Sequence, residues 1–330
     1  MSKKILITGG AGFIGSHLAE KLLRKGNEVF VFDNLSTGSQ NNIDLIKNKE
    51  EYRDRFTFIR GDVLEDKNLL AETIGKVDEI YHLAAAVGVK TVMEKPLESF
   101  LINIDGTKNV LELALASGRK IPVLITSSSE VYGKNEKIPF KEEDDRIYGS
   151  AYNTRWGYGL SKGSDEFLGL AYFREKQLPV IVVRLFNVIG PRQAGAYGMV
   201  VPRLVKQALD GSPMTVYGDG EQTRCFGGVG NVTNILIDLM NSQKAIGHIF
   251  NVGSDEEISI NGLAKKIKDL TGSNSEIVHI PYSQVYGQDF DDMRKRKPNI
   301  DKIKDQNSGV NYGRFSLEDE LKLIIEYFSA

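Results

Sequence analysis

The stretch Thr8-Gly9-Gly10-Ala11-Gly12-Phe13-Ile14-Gly15 decides the fold class of this chain. It follows the apolar run Lys4–Ile7, which is typical of a buried parallel strand. After the turn, apolar residues recur at Ile14, Leu18 and Leu22, which predicts a helix. A glycine turn between a strand and a helix N-terminus indicates a pyrophosphate site, because free N–H groups and the helix dipole attract negative charge.

The glycine spacing, Gly9-x-x-Gly12-x-x-Gly15, is followed by a second apolar strand, Val29–Phe32, that leads into Asp33. A carboxylate at this distance can accept hydrogen bonds from the ribose of adenosine, so we predict a dinucleotide site rather than an empty turn. The negative charge of Asp33 would repel a 2′-phosphate, which favours NAD over NADP as the cofactor.

Composition limits the class of protein. The chain has 330 residues, of which 41% are hydrophobic and 26% charged, with a net charge of −2. This balance argues against a nucleic-acid partner or an anionic membrane surface. No apolar run is long enough to cross a bilayer, and the first residues do not resemble a signal peptide. Cys225 is the only cysteine, so we expect no internal disulfide, no metal site and a cytoplasmic location.

Five apolar strands alternate with helical segments in the first part of the chain, which predicts a parallel, doubly wound sheet. Ligands of such sheets bind beyond the carboxyl ends of the strands. Asp62 follows the third strand and can reach an adenine amino group or, alternatively, cap the next helix. His82 lies within the fourth strand, and we interpret it as structural. The expected cofactor contacts are Gly9, Gly12, Phe13, Ile14, Gly15, Asp33, Asn34, Ser36, Thr37, Gly38, Asp62, Val63, Leu83, Ala84, Ala85, Tyr158 and Lys162.

Tyr158 and Lys162 are four positions apart, which places them on one face of a helix. A lysine ammonium lowers the pKa of a nearby phenol, and a phenolate can accept the proton of a sugar hydroxyl as hydride leaves for a nicotinamide. Ser128, at the end of the fifth strand, can share that proton path. Such a pair alone is usually a surface feature, but after a nucleotide turn a catalytic role is the better interpretation.

Several motifs therefore occur together in the first half of the chain: the glycine turn, Asp33, Asp62, His82-Leu83-Ala84-Ala85, Ser128 and Tyr158-x-x-x-Lys162. Together they resemble the extended short-chain dehydrogenases/reductases and, more narrowly, the NAD-dependent nucleotide-sugar epimerases and dehydratases. The resemblance covers nearly the whole chain. It implies an NAD-binding Rossmann domain over residues 1–185 and a smaller α/β substrate domain over 186–330, with the chain crossing back near 225–255. It also implies a homodimer, in which the helices at 100–116 and 160–173 either pair across the axis or remain core helices.

The second half resembles the same family. Residues 184–192 have the form R-x-x-N-x-x-G-P-R, in which the family's asparagine, here Asn187, contacts the sugar diphosphate. Val216–Arg224 resembles a hairpin whose arginine faces the nucleotide phosphates, although Arg224 is alternatively a solvated charge. Lys90 is likewise a substrate contact or a surface lysine. The resemblance assigns to the substrate Lys90, Asn187, Arg192, Val201, Arg203, Arg224 and Arg296.

One segment departs from the family pattern. After Arg224-Cys225-Phe226, the family usually has an aromatic residue or histidine and then a helix-capping aspartate. Here the residues are Gly227-Gly228-Val229-Gly230-Asn231. We expect the added glycines to loosen this loop and Asn231 to take over as the helix cap.

The residues after Ser128 distinguish the reactions of the family, all of which begin with oxidation of carbon 4 of the sugar. Ser129-Glu130 resembles the UDP-glucuronate decarboxylases, whereas a 4,6-dehydratase usually has aspartate in place of Ser129 and a 4-epimerase needs no carboxylate there. The decarboxylases that modify lipid A sugars show an Arg-Trp-x-Tyr step, here Arg155 to Tyr158. They also resemble residues 286–298, where the arginine before Lys-Pro, here Arg296, acts near the substrate carboxylate or as an acid.

We therefore predict decarboxylation of a UDP-linked uronate, with 4-epimerisation as the first alternative and 4,6-dehydration as the second. The expected catalytic residues are Ser128, Tyr158, Lys162, Ser129, Glu130 and Arg296. The segment 82–90 is closer to the epimerases, and the basic run 294–297 is alternatively a solvated face. A non-catalytic NAD-binding sensor is the interpretation from another class, and the intact Ser128, Tyr158 and Lys162 argue against it.

Overall fold

The computed structural model describes residues 2–194, 199–286, 293–305, 308–313 and 315–329, without the side chains of residues 89–91 and 286. The strands are β1 Lys4–Thr8, β2 Glu28–Asp33, β3 Phe56–Arg60, β4 Glu79–His82, β5 Val123–Ser128, β6 Val180–Leu185, β7 Val188–Ile189, β8 Met214–Tyr217, β9 Thr223–Cys225, β10 Gly227–Gly228, β11 Ile249–Val252, β12 Glu257–Ser259 and β13 Ile277–Ile280. The α-helices are α1 Phe13–Arg24, α2 Gln40–Lys47, α3 Lys67–Ile74, α4 Val89–Glu94, α5 Pro96–Ala116, α6 Gly157–Lys176, α7 Val200–Leu209, α8 Val229–Asn241, α9 Ile260–Thr271, α10 Tyr282–Tyr286, α11 Asp301–Lys304 and α12 Leu317–Ser329. Within these ranges, no helix is both long and apolar enough to span a membrane.

Seven strands form one parallel sheet in the order β11-β6-β5-β4-β1-β2-β3. Strand β1 lies near its middle, with Ile7 in register with Val31 of β2 and with Tyr81 of β4. The alternation of strands and helices thus gives the doubly wound α/β fold that the sequence predicts, and the structure confirms it. Strand β11 joins this sheet beside β6 although it comes late in the chain. The domain boundary after Leu185 stays a prediction.

Helices cover both faces of the sheet. On one face α1, α2 and α8 bury residues such as Leu18, Ile43 and Leu236, and on the other α3 and α5 bury residues such as Leu70 and Val110. Each fully buried aliphatic side chain of this kind stabilises the fold by about 1.5–3 kcal/mol. These two apolar layers hold the carboxyl ends of the strands at one open edge.

A second apolar cluster organises much of the chain after β7. Strand β8 and helices α7, α9 and α12 pack together there, with Met214 and Val216 of β8 fully buried. Strand β8 pairs with β13, and β9 pairs with β12, so the hairpin predicted over Val216–Arg224 is wrong. Strands β8 and β9 each take their partner from a segment later in the chain.

The glycine-rich segment after Phe226 is not loose, contrary to expectation. Gly227 and Gly228 form β10, which pairs in parallel with β7. A side chain on Gly228 would collide with the carboxylate of Glu320 on α12, so the glycine permits close packing of that helix. Asn231 does not cap α8 either, because it lies inside the helix and donates a hydrogen bond to the Gly313 carbonyl at 3.1 Å.

Candidate active site

A cavity of about 820 Å³ opens beyond the carboxyl ends of β1, β2, β4 and β5 and extends toward α7 and β9. Nearly all predicted site residues line it. They are Gly9, Gly12, Phe13, Ile14, Gly15, Asp33, Asn34, Ser36, Thr37, Asp62, Val63, Leu83, Ala84, Ala85, Ser128, Ser129, Glu130, Tyr158, Lys162, Asn187, Arg192, Val201, Arg203, Arg224 and Arg296. Gly38 packs behind the lining against Asp33, and the side chain of Lys90 lies outside the described residues.

The glycine turn has the geometry of a phosphate cradle. Gly9 has a φ of +71°, and a Cβ there would lie 2.6 Å from the Ala84 nitrogen, so only glycine fits. Asp33 accepts hydrogen bonds from the backbone N–H groups of Ala11, at 2.9 Å, and Leu35, at 2.8 Å, while burial raises the pKa of its carboxyl. Asp33 therefore fastens the turn to the following loop as well as lining the cavity.

Asp62 faces the cavity from the end of β3. Its carboxylate accepts hydrogen bonds from the Asn34 side chain at 2.6 Å and from the Leu64 N–H at 2.7 Å. Helix α3 begins at Lys67 with Asp66 as its N-cap residue, so the alternative that Asp62 caps this helix is wrong. The position of Asp62 fits its predicted place at the adenosine end of the cavity.

Tyr158 and Lys162 lie in the first two turns of α6, on one face of the helix as the sequence predicts. Burial raises the pKa of Tyr158 well above its usual range, the charges of Glu130 and Asp165 add to that effect, and a hydrogen bond with Ser128 opposes it. Lys162 is buried and donates to the Asp165 carboxylate at 2.8 Å. The expected lowering of the pKa of Tyr158 by Lys162 stays a prediction, and in the structure that ammonium is paired with the Asp165 carboxylate.

Glu130 lies between two arginines at the centre of the cavity. One carboxylate oxygen is 2.6 Å from a guanidinium nitrogen of Arg155 and the other is 2.6 Å from one of Arg296. Burial by itself would raise the pKa of Glu130, but Arg155 and Arg296, with a further effect of Arg224, lower it to about 2. Glu130 is therefore ionised at neutral pH, and the cluster carries net positive charge.

Arg296 reaches this cluster from a segment that bridges two parts of the fold. The carbonyl of Arg294 accepts from the Thr223 N–H at 2.9 Å, and the carbonyl of Lys297 accepts from the Phe140 N–H at 2.8 Å. Arg296 points inward and is buried, whereas Arg294 is exposed and pairs with Asp219 at 2.8 Å. The alternative of a solvated basic face is therefore wrong for Arg296. Residues 287–292 of the predicted motif lie outside the described ranges.

The other predicted substrate residues are anchored to the protein. The Asn187 amide donates to the Cys225 carbonyl at 3.2 Å, and Arg192 pairs with Glu20 of α1 at 2.6 Å. The guanidinium of Arg203 lies 3.7 Å from the centre of the Tyr217 ring.

Arg224 is buried and donates to the Thr223 carbonyl at 2.8 Å, so the alternative of a solvated charge is wrong. Its function as a phosphate ligand stays a prediction. The other substrate assignments stay predictions as well.

Residue-level reasoning missed several lining residues, of which Arg155 is the most important. Arg155 precedes Tyr158 by three positions, in the 3-10 turn Thr154–Trp156 that leads into α6, so helical spacing places the two residues on the same side. That signal was available in the sequence. Tyr217, Gln222 and Tyr282 also line the cavity, and the Gln222 amide donates to the Tyr282 hydroxyl at 2.9 Å. No local pattern marks these three.

Known proteins similar to this chain include nucleotide-sugar enzymes. The family model described as GDP-mannose 4,6 dehydratase matches residues 6–307. The chain is 43% identical over 329 residues to UDP-N-acetyl-alpha-D-glucosaminuronate decarboxylase of Bacillus cytotoxicus, covering 99% of this chain and 98% of that protein. It is 40% identical to UDP-glucuronic acid decarboxylase 1 of Xenopus tropicalis, covering 92% and 67%. A solved UDP-glucuronic acid 4-epimerase of Bacillus cereus, in complex with UDP-glucuronic acid and NAD, superposes with a TM-score of 0.85 at 30% identity, covering 99% of each chain.

Proposed function

Because this chain belongs to the family of NAD-dependent nucleotide-sugar epimerases and dehydratases, we propose that it removes carbon dioxide from a UDP-linked uronate. The observation that carries the proposal is the buried carboxylate of Glu130 between Arg155 and Arg296, on the same cavity wall as Ser128 and Tyr158. A neutral hexose needs no such charge cluster, whereas a uronate brings a carboxylate that two guanidiniums can bind. The decarboxylase relatives support the same choice.

The cradle around Gly9 fits NAD, since the turn admits no side chain and Asp33 stands at the end of β2. Asp62 and Asn34 would border the adenosine, and Lys162 would meet the nicotinamide half. Bound NAD supplies the hydride acceptor that makes carbon 4 a ketone and later returns the hydride. Asp33, with its negative charge, favours NAD over NADP.

Tyr158, as the phenolate, is the proposed base for the C4 hydroxyl, and Ser128, hydrogen-bonded to it, relays the proton from the sugar oxygen to the phenolate oxygen. Once carbon 4 is a ketone, the C6 carboxylate is β to it. The C5–C6 bond can then break, its electron pair moving into the C4–C5 enolate as carbon dioxide leaves. Arg155 and Arg296 would hold the carboxylate until that point.

Carbon 5 must then gain a proton, and we assign its delivery to Glu130. A uronate carboxylate competes with Glu130 for the two guanidiniums. Loss of one arginine partner removes a cause of the low pKa of Glu130, so the carboxyl can take a proton from solvent and donate it to carbon 5. Ser129, buried beside it, would shape the turn that presents Glu130.

The direct experiment incubates the protein with NAD and either UDP-glucuronate or UDP-N-acetylglucosaminuronate, followed by mass spectrometry and proton NMR. Loss of one carbon dioxide from either sugar supports the proposal. An unchanged mass with inverted carbon 4 would contradict it and make the protein a uronate 4-epimerase, as the solved Bacillus cereus relative is named. Loss of water from a UDP-hexose would indicate a dehydratase, and no NAD reduction with any sugar would indicate a sensor.

We also infer a homodimer formed by α5 and α6. These helices pack side by side and expose large apolar residues, including Leu97 at 71% and Phe167 at 72%. Pairing with a second copy would bury them. Light scattering should show that F167E shifts the protein toward monomer, whereas L45E, which changes an exposed leucine on α2, should not. An unchanged dimer in F167E would contradict this interface.

A further inference from the structure

A buried polar chain lies behind the catalytic pair, and the proposed function does not use it. Asp165 of α6 is fully buried and holds the Lys162 ammonium at 2.8 Å. Burial raises the pKa of the Asp165 carboxyl, and both Lys162 and the Thr107 hydroxyl of α5 act against that rise. His82 of β4 lies next in line, with its Nε2 3.1 Å from the Thr107 oxygen and its Nδ1 2.7 Å from the Thr8 oxygen.

The Thr107 hydroxyl lies between the His82 ring and the Asp165 carboxylate. If Thr107 donates to the carboxylate, His82 must donate through Nε2 and accept at Nδ1 from the Thr8 hydroxyl. Burial, with a further effect of the positive charge of Lys162, lowers the pKa of His82 to about 3, so the ring is neutral. A neutral ring carries one proton, which this arrangement places on Nε2. The Ala84 N–H in turn donates to the Thr8 oxygen at 3.4 Å. This row of polar side chains thus extends from Thr8, at the nucleotide turn, to the buried Asp165 carboxylate that pairs with Lys162.

We propose that Asp165 is a positioning residue that holds the Lys162 ammonium from behind and decides how much of its positive charge acts on Tyr158. The inference rests on Tyr158 being the base of the proposed function. Asp165 lies one helical turn beyond Lys162, and the pair is closed off from water. A buried carboxylate that close cancels most of the field of its partner, because little solvent screens either charge.

Charged groups other than Asp165 also lie near Tyr158. Glu130, from the turn after β5, also disfavours the phenolate, but it is held by Arg155 and Arg296. From α5 the neutral Thr107 acts on Asp165, and from β4 the neutral His82 lies next to Thr107. Glu166, next to Asp165 on α6, is paired with Arg184 of β6 and with Arg146. Asp165 is therefore the anion that a single substitution can remove without breaking the arginine clusters.

The first test needs no substrate. The ultraviolet absorbance of tyrosinate is followed upward from the ordinary tyrosine pKa of about 10, above which Tyr158 titrates, and the signal of Tyr158 is isolated by subtracting the matching Y158F variant. In D165N the Tyr158 transition should move at least about one pH unit lower than in the wild type, because one nearby negative charge is gone. T107V keeps the Asp165 charge and removes the hydroxyl between Asp165 and His82. D165E keeps a carboxylate at position 165. The Tyr158 transition of both variants should therefore follow that of the wild type.

Coinciding curves for D165N and wild type, with only a lower melting temperature, would reduce Asp165 to a structural residue and overturn the proposal. An equal shift in T107V would do the same. If D165N does not fold, the K162Q variant is compared with K162Q/D165N, which buries no unpaired charge. Tyr158 should titrate at lower pH in the double variant than in K162Q, and identical curves would overturn the proposal.

The second test uses single-turnover reduction of NAD by the uronate across pH. The rate should rise with pH as Tyr158 loses its proton, and in D165N this rise should begin about one pH unit lower. A tyrosinate shift without NAD reduction by any sugar would leave the role of Asp165 standing and refute the proposed function. NAD reduction with a pH profile identical in D165N and wild type would refute the role of Asp165 alone.

Discussion

Two buried clusters in this protein have the same composition, one glutamate between two arginines, and different surroundings. Glu166 is completely buried; one oxygen accepts from Ser127 and Arg184, and the other from Arg184 and Arg146. Glu130 has one arginine at each oxygen and lines the cavity. The Glu166 carboxylate is saturated by partners, and neither of its two arginines lines the cavity, so it ties elements together. The Glu130 cluster is open to a competing carboxylate, which suits a reactive site.

The largest expected difference between the clusters is in turnover. E130Q removes the charge that the two active-site arginines share, and it should lower turnover of the uronate by about 10²–10⁴-fold, the usual contribution of a general acid. Chromatographic product assays would measure it. The ion pairs of Glu130 also stabilise the fold, so turnover is compared per folded molecule. A mild loss of turnover would favour 4-epimerisation, which needs no carboxylate at this position.

A substitution in the Glu166 cluster should lower the free energy of unfolding rather than turnover. R184M leaves the carboxylate of Glu166 with one fewer buried partner, and breaking a buried ion pair in this way costs about 3–5 kcal/mol of the free energy of unfolding. Urea denaturation would measure the loss. Activity per folded molecule should stay near that of the wild type, and a selective loss of turnover in a stably folded R184M would erase the distinction between the clusters.

The pH dependence of stability should sharpen the same comparison. The pKa of Glu130 in the folded protein is about 2, below its ordinary value near 4.5, so its contribution is present above about pH 4.5 and is lost as pH falls toward 2. The difference in unfolding free energy between wild type and E130Q should therefore shrink over that window. Denaturant unfolding at several pH values would test it, and a difference independent of pH would mean that Glu130 is not ionised in the empty site.

The smallest effect is expected at Arg294, which comes two residues before Arg296 in the same basic run. Arg294 is exposed and pairs with Asp219 at the surface, so R294A should leave turnover and stability unchanged within error. R296A should raise the KM for the uronate strongly because it removes half of the carboxylate site. Equal effects of the two substitutions would contradict the assignment of Arg296.

Local sequence was sufficient to predict those features whose residues lie close together along the chain. The turn at Gly9 and the carboxylate of Asp33 follow from steric fit and strand length, and Tyr158 and Lys162 share a face because both lie on α6. Reasoning from neighbours in sequence failed for the hairpin at Val216–Arg224, since strand partners come from distant segments. It also failed at Gly228, where a helix from the end of the chain fills the space that glycine leaves.

The sequence by itself determined the doubly wound sheet, the nucleotide turn and the presence of Ser128, Tyr158 and Lys162 at one edge. Those features depend on backbone sterics, hydrophobic periodicity and strand order, which are local or nearly so. Only the tertiary structure decided that Lys162 pairs with Asp165 and that Arg155 and Arg296 meet at Glu130. Those pairings depend on which charges are buried together, because burial removes the solvent screening that would otherwise let each charge act alone.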